Sequence, residues 1–260
     1  MLRLSALYRY PLKSAKGEVL QQAHLDKLGL AGDRRWMLVD EASGRFLTQR
    51  AVAAMSQLSA LWNATGGLTL AAPGHSPIEV ALPVDDAQLR GVTIWRDTLR
   101  VPDAGDAAAA WVSAFIGKPT RLVQVPEALA RTTQAGYGKD DDKVAFADGF
   151  PLLLIGQASL DDLVQRVGRP LEMLRFRPNL VIEGSEAFAE DSWKRIRIGD
   201  VEFRVVKPCS RCILTTIDPQ TGERSADREP LATLQKYRTQ DDGAMFGQNL
   251  VNDGDGRLEV

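Results

Sequence analysis

Only two cysteines occur in the 260-residue chain, and they stand three positions apart in KPCSRCILTTID, Lys207 to Asp218. Two thiols at this spacing can form a redox disulfide, supply half of a zinc site, ligate a softer metal, or sit as two small buried side chains. A dithiol oxidoreductase opens a helix with its pair, because the helix N-terminus lowers the thiol pKa. Here the pair runs into ILTTID, which is β-branched and reads as a strand, so that use is disfavoured. A structural zinc site needs two further ligands, typically a second cysteine pair or two histidines. His24 and His75, the only histidines, are distant in sequence and unpaired. Two buried thiols on a strand are the plain alternative, since free cysteine is among the most buried residue types. Against it stand Arg211 between the thiols and Lys207 just before them, because basic neighbours favour the thiolate that ligates metal. A lone thiolate suits a soft, higher-valent metal whose other ligands come from a cofactor.

Three short basic clusters can serve an anion. YPLKSAKG offers Lys13 and Ser14, AGDRRW offers Arg34 and Arg35, and RFRPN offers Arg175, Arg177 and Asn179. Pro178 is expected to push Arg177 into an extended backbone. Arginine presents a fork that fits phosphate, and lysine a point charge. Each cluster alone fits a solvated surface equally well. Asp148 in FADGF, Asp191 in EDSW and Asp218 in TTIDP stand where turn or cap carboxylates are common. No G-x-G-x-x-G, Walker A or G-x-S-x-G motif occurs, so dinucleotide, P-loop and serine-hydrolase readings have no support.

The elements that must position these residues are mostly strands. LRLSALYRY alternates with period two, and RRWMLVD and RFLTQR flank EASG as a hairpin. LSALW, GLTLAAP, IEVALP and GVTIWRDTLRVP continue as strands at the spacing of an antiparallel sheet or barrel. DAGDAAAAWVSAFIG reads as a helix closing on glycine, PTRLVQVPE as a strand, and residues 128–145 as a loop or linker. SLDDLVQRVG reads as a helix opened by a Ser159–Asp162 capping box. PNLVIEG, KRIRIGDVEFRVVKP, CILTTID, FGQNLV and GRLEV read as strands, and EPLATLQKYR as a short helix with proline at its first position.

Hydrophobic residues make up 44% and charged residues 25%, the ordinary globular mix, in a chain long enough for one large domain or two small ones. The net charge of −2 gives no pull toward nucleic acid or anionic membrane. Basic residues break up the N-terminal apolar stretch, and no run approaches the roughly 18 apolar residues a span needs. The chain is therefore expected to be cytoplasmic, with no nucleic acid and no membrane among its partners.

Taken in order, YPLKS, GLAGDRRWMLVD…GRFLTQR, FADGFPLLLIGQASLDDL, FRPNLVIEG…AFAEDSWKRIRIGDVEF and KPCSRCILTTIDPQTG…EPLATLQKYR…FGQNL resemble proteins with a molybdenum cofactor sulfurase C-terminal (MOSC) domain. The likeness covers nearly the whole chain and is strongest to bacterial relatives of the mitochondrial amidoxime-reducing component. It implies a β-rich α+β fold: an N-terminal β-barrel-like unit over residues 1–120, then a MOSC β-barrel with a few short helices over residues 121–260. It implies molybdenum cofactor, a pterin dithiolene bearing a phosphate, with Cys212 as metal ligand and catalytic residue and Cys209 as a packed neighbour. Lys13, Ser14, Arg34, Arg177, Asn179, Ser210 and Arg211 match positions that hold the pterin and its phosphate. Asp148 matches a catalytic position near the metal that helps proton delivery. The family reaction reduces small N-hydroxylated compounds, R–NHOH to R–NH2 and water, which includes detoxification of N-hydroxylated bases.

Some bacterial relatives append a ferredoxin-like domain with a two-iron, two-sulfur cluster. No cysteine follows Cys212, so no iron–sulfur cluster is expected in this chain. Electrons are then expected from a separate protein of ferredoxin, flavoprotein or cytochrome b5 type. Relatives continue their last strand beyond the point where this sequence stops at Val260, so a longer natural chain is a further expectation. The alternatives are a non-catalytic module that holds the cofactor or relays sulfur on Cys212, and a thiol-redox protein with a Cys209–Cys212 disulfide.

Overall fold

A computed structural model of the chain describes residues 1–84, 87–241 and 243–260. Its largest sheet runs in the order Arg195–Ile198, Val201–Ser210, Gly243–Asn252, Leu152–Gly156, Leu180–Glu183, Arg3–Arg9 and Glu18–Leu20. The period-two stretch at the N-terminus is thus built into the same sheet as the C-terminal half. Pairing is antiparallel except between Leu152–Gly156 and Leu180–Glu183. Parallel neighbours need a crossover, and helix α2 (Gln157–Val167) lies within it. Every residue of Leu152–Gly156 is buried, as a central strand covered on both faces requires.

One face carries Leu7, Leu152, Leu154, Leu180 and Phe203. The other carries Leu153, Ile155, Val181 and Phe246 under Leu160 and Leu163 of α2 and under Leu231 and Leu234 of a later helix, Leu231–Tyr237. Gly247 has φ +82, and a Cβ there would stand 2.8 Å from the Leu154 carbonyl oxygen, so only glycine fits this strand crossing. The N-terminal region adds a three-stranded sheet (Ser59–Trp62, Leu68–Ala72, His75–Val80) and the pair Trp36–Asp40 with Thr120–Gln124. Helix α1 (Asp106–Ile116) ends on left-handed Gly117 as its sequence requires, and packs Ala108 and Val112 against Leu38, Leu70 and Leu122. The strand-rich α+β class expected from the sequence is what the chain adopts.

Several local expectations fail for identifiable reasons. GVTIWRDTLRVP, read as strand, folds as a hairpin, Leu89–Ile94 against Asp97–Pro102, turning at Trp95 and Arg96. Trp95 takes φ +54 there, a conformation that costs a bulky residue on the order of 1–3 kcal/mol. The EASG turn forms, with Asp40 accepting from the Ser43 N–H and hydroxyl. Its second arm is not a strand, because Phe46 donates to Thr93 of the neighbouring hairpin while Leu47 returns to Leu38. Residues 128–145 carry a two-residue strand pair, Arg131–Thr132 with Lys143–Val144.

The Ser159–Asp162 capping box is absent. α2 begins at Gln157, and Ser159 sits buried in its first turn, donating to Glu190 at 2.7 Å while accepting from the Phe188 N–H. Glu190 also accepts from the Gly156 N–H, so a distant carboxylate does the work assigned to a local one. CILTTID is not a strand either. Ile213–Thr216 is a 3-10 turn, because the hydroxyls of Thr215 and Thr216 back-bond to the carbonyls of Cys212 and Ile213.

Candidate functional site

The nine site residues that the family resemblance assigned line one cleft, between the N-terminal region and the loops of the large sheet. Its floor is built on Tyr10, which is fully buried. The Arg34 guanidinium lies 4.3 Å and that of Arg177 4.2 Å from the Tyr10 ring centroid. Arg34 donates to Asp33 at 2.6 Å, to the Asn179 side-chain oxygen at 3.0 Å and to the Arg177 carbonyl at 3.1 Å. Arg177 donates to the Ala15 carbonyl at 2.7 Å. Its backbone is left-handed, φ 55 and ψ 45, rather than extended as Pro178 led the sequence to suggest. The 3-10 turn Met173–Phe176 ends there, and the left-handed residue closes it against the Leu174 carbonyl.

Asn179 is buried and knits the floor together. Its oxygen accepts from Leu153 N–H as well as Arg34, and its nitrogen donates to the Tyr8 carbonyl. It therefore holds the elements that carry the site. Ser14 is buried with φ +65, beside Lys13, whose N–H donates to Trp36 and fixes the loop to that strand. Arg35, its companion in the sequence cluster, points elsewhere and forks onto Asp26 at 2.6 and 2.8 Å. Arg175 pairs with Asp218 at 2.5 Å, and Asp218 also accepts from the Gln220 and Thr221 N–H groups as a turn residue does.

At the rim, buried Lys13 reaches Asp148 and donates to the Phe146 carbonyl at 2.8 Å. Burial lowers Lys13 below the usual lysine range, with Asp148 offsetting part of that effect. Burial alone would raise Asp148, yet Lys13, then Arg50 and Arg34, outweigh it and hold the carboxyl down to about 2. Asp148 is thus a carboxylate, with Arg50 at 4.0 Å and the Trp95 indole N–H donor at 3.3 Å. Arg50 and Trp95 were missed in the sequence. Arg50 stands in the quoted RFLTQR motif, whereas nothing local to Trp95 links it to a carboxylate 53 positions on.

The two cysteines differ in situation. Cys209 is half-buried and packs against the core under the helices. The Arg211 guanidinium donates to its sulfur at 3.0 Å and to the Phe176 carbonyl at 2.7 Å. Cys212 is exposed, at the start of the Ile213–Thr216 turn, where its carbonyl accepts from Thr215. The basic neighbour that the sequence placed beside both thiols serves Cys209, and Lys207 lies over the Tyr137 ring at 4.6 Å. Ser210 ends the strand Val201–Ser210 and lines the cleft. Both thiols are free.

The cleft lining is under-neutralised. Among the described residues, Lys13, Arg34, Arg50, Arg177 and Arg211 face a single lining carboxylate, Asp148. Nη2 of Arg177 and Nε of Arg211 are buried with no hydrogen-bond partner, as are the Tyr10 hydroxyl and Nε of Arg50. Burial, then repulsion from Arg34, drops Arg177 to about 10. Buried unsatisfied donors on cations call for an anion with several acceptor atoms. No group of three or more metal-ligating side chains occurs among the described residues, so a metal held here must bring most of its own ligands. A phosphate-bearing organic ligand that carries a thiophilic metal fits this donor set, with Cys212 supplying the one exposed thiol.

A strand-rich chain with an anion cleft ending on a single exposed cysteine is the class that these features define. The model of the MOSC N-terminal beta barrel domain matches residues 1–119, and that of the MOSC domain matches residues 141–260. The chain belongs to the MOSC-domain family. Its curated relatives include mitochondrial amidoxime-reducing component 1 of Homo sapiens, 34% identical over 99% of this chain and 80% of that protein. Mitochondrial amidoxime reducing component 2 of Rattus norvegicus is 38% identical over 90% of this chain and 72% of that protein.

Proposed function

We propose that the chain is a molybdenum-cofactor-dependent reductase of small N-hydroxylated compounds. The balance is R–NHOH plus two electrons and two protons giving R–NH2 and water. The observation that carries the reading is the cleft itself: one exposed thiol, Cys212, at the end of a basic lining whose buried donors lack acceptors. The names of the relatives point to the same substrate class. Electrons come from a separate protein of ferredoxin, flavoprotein or cytochrome b5 type, and the setting is cytoplasmic. No helix among the described residues is long and apolar enough to cross a membrane.

The residues divide the labour as follows. Arg34, Arg177 and Arg211, with Ser14 and Ser210, hold the pterin and phosphate, and Asn179 keeps their supporting strands in place. Cys212 ligates the metal. When bound, the cofactor supplies the two-electron reduction. Lys13, which the resemblance assigns to the pterin, here pairs with Asp148, and together they hold the proton at the rim. Because Asp148 is ionised, it orients and accepts, and the lysine with its lowered pKa is the donor toward the departing oxygen.

Elemental analysis for molybdenum, combined with benzamidoxime reduction by a supplied reductant, tests this reading. Cys212→Ser should abolish turnover at matched cofactor content, and Cys209→Ala should keep most of it. Equal activity in the Cys212 variant would overturn the assignment. The exposure of Cys212 also suits a sulfur-carrier module. A persulfide on Cys212 of metal-free protein, with no reductase activity, would establish that instead.

A further inference from the structure

Trp95 is a bulky residue where the chain favours glycine. It is the first of two residues in the turn between Leu89–Ile94 and Asp97–Pro102, and its φ of +54 matches a turn whose first position is normally glycine. The residue remains 39% exposed, so a large aromatic surface stays open to solvent beside the strained backbone. Yet the ring is fixed on three sides. The indole N–H donates to Asp148 at 3.3 Å, the Arg50 guanidinium lies 4.7 Å from the ring centroid, and Phe46 meets it edge-on at 5.0 Å. Asp148 and Arg50 both line the cleft, and Trp95 stands against them just outside that lining. A strained, partly exposed, firmly held aromatic beside a carboxylate that lines the cleft has the properties of a ligand contact.

We propose that Trp95 is the substrate-facing wall that selects flat, conjugated N-hydroxylated compounds over aliphatic hydroxylamines. This rests on the reductase reading above. A planar amidoxime or N-hydroxylated base lays its π face on the indole, while its amino N–H groups donate to Asp148. An aliphatic hydroxylamine offers no such face. Trp95 contacts substrate and takes no part in proton or electron transfer.

The test uses the cofactor-loaded protein and two variants, Trp95→Gly and Trp95→Phe. Glycine suits the turn, so Trp95→Gly should melt within a few degrees of the wild type or above it. The preference for benzamidoxime over N-methylhydroxylamine, as a ratio of kcat/KM values, should fall roughly tenfold in Trp95→Gly, through KM, the scale expected for one aromatic stack. Trp95→Phe should recover most of the preference. Calorimetric titration with benzamidine, a product-class ligand, should show about the same tenfold weakening in Trp95→Gly. An unchanged ratio, an equal loss for both substrates, or failure of phenylalanine to recover it would overturn the proposal. If the wild type reduces neither substrate, the reductase reading falls, and the titration still decides Trp95. Equal benzamidine affinity in wild type and Trp95→Gly, or no binding to either, overturns it.

Discussion

At the floor of the cleft, Arg34 and Arg177 stack on Tyr10 and spend their N–H groups on backbone carbonyls, Asp33 and Asn179. At the rim, Lys13 and Arg50 meet Asp148, and the aromatic partner, Trp95, is half open to solvent. The floor carries more charge than it neutralises, and it is buried. The rim is paired. An under-neutralised, rigid floor stores binding energy for an anion, because each of its unsatisfied donors is stabilised only when the ligand arrives. A rim lysine already in contact with a carboxylate can hold and move a proton, because that partner offsets part of the cost of burying its charge.

The largest effect on this contrast is expected from Cys212→Ser, which removes the single exposed thiol and with it turnover, as read by the reductase assay. Next, Arg177→Met takes a charged donor from the floor. Cofactor retention should weaken about tenfold to a hundredfold, measured as molybdenum per chain after dialysis, with the melting temperature of the cofactor-free protein unchanged or higher. A rim change should do the reverse. Lys13→Met should keep most of the bound molybdenum but lower kcat on the order of a hundredfold. If both variants lose cofactor and rate alike, floor and rim are not separable.

Asn179→Ala should cost about 1–3 kcal/mol of folding stability by chemical denaturation, because Leu153 N–H, Tyr8 C=O and Arg34 all lose a buried partner. The smallest effect is on pH. Asp148 titrates near 2 when folded and near 4 when unfolded, so its contribution is complete above about pH 4 and is lost as pH falls through 2. Its side chain is 65% exposed, so solvent screening keeps the contribution small. In Asp148→Asn the stability curve between pH 5 and 2 should be flatter than in the wild type. An identical slope would show that the Lys13 pair adds no acid sensitivity.

Period-two alternation in LRLSALYRY, the glycine stop of DAGDAAAAWVSAFIG and the GD turn of KRIRIGDVEFRVVKP are local signals, and each element forms where its pattern places it. The elements that misread are those where a distant group replaced a local one. Glu190 displaced the Ser159 capping box, and Thr93 diverted the arm after EASG. The threonines after Cys212 turned a β-branched run into a helical turn by bonding back to carbonyls, a choice that propensity alone does not reveal.

The sequence by itself determined that the chain has a soft-metal candidate in its cysteine pair, three basic clusters and a strand-rich framework, because residue type and short-range spacing carry that information. It chose between the cysteines only through family resemblance. The tertiary structure decided which cysteine is exposed, that Arg211 serves Cys209, that Arg35 turns away to Asp26 while Arg34 faces inward, and that Trp95 reaches Asp148. The physical reason is sequence separation. The inward turn of Arg34 and the Trp95–Asp148 contact depend on where the two halves of the chain meet, and short-range patterns hold no record of that meeting.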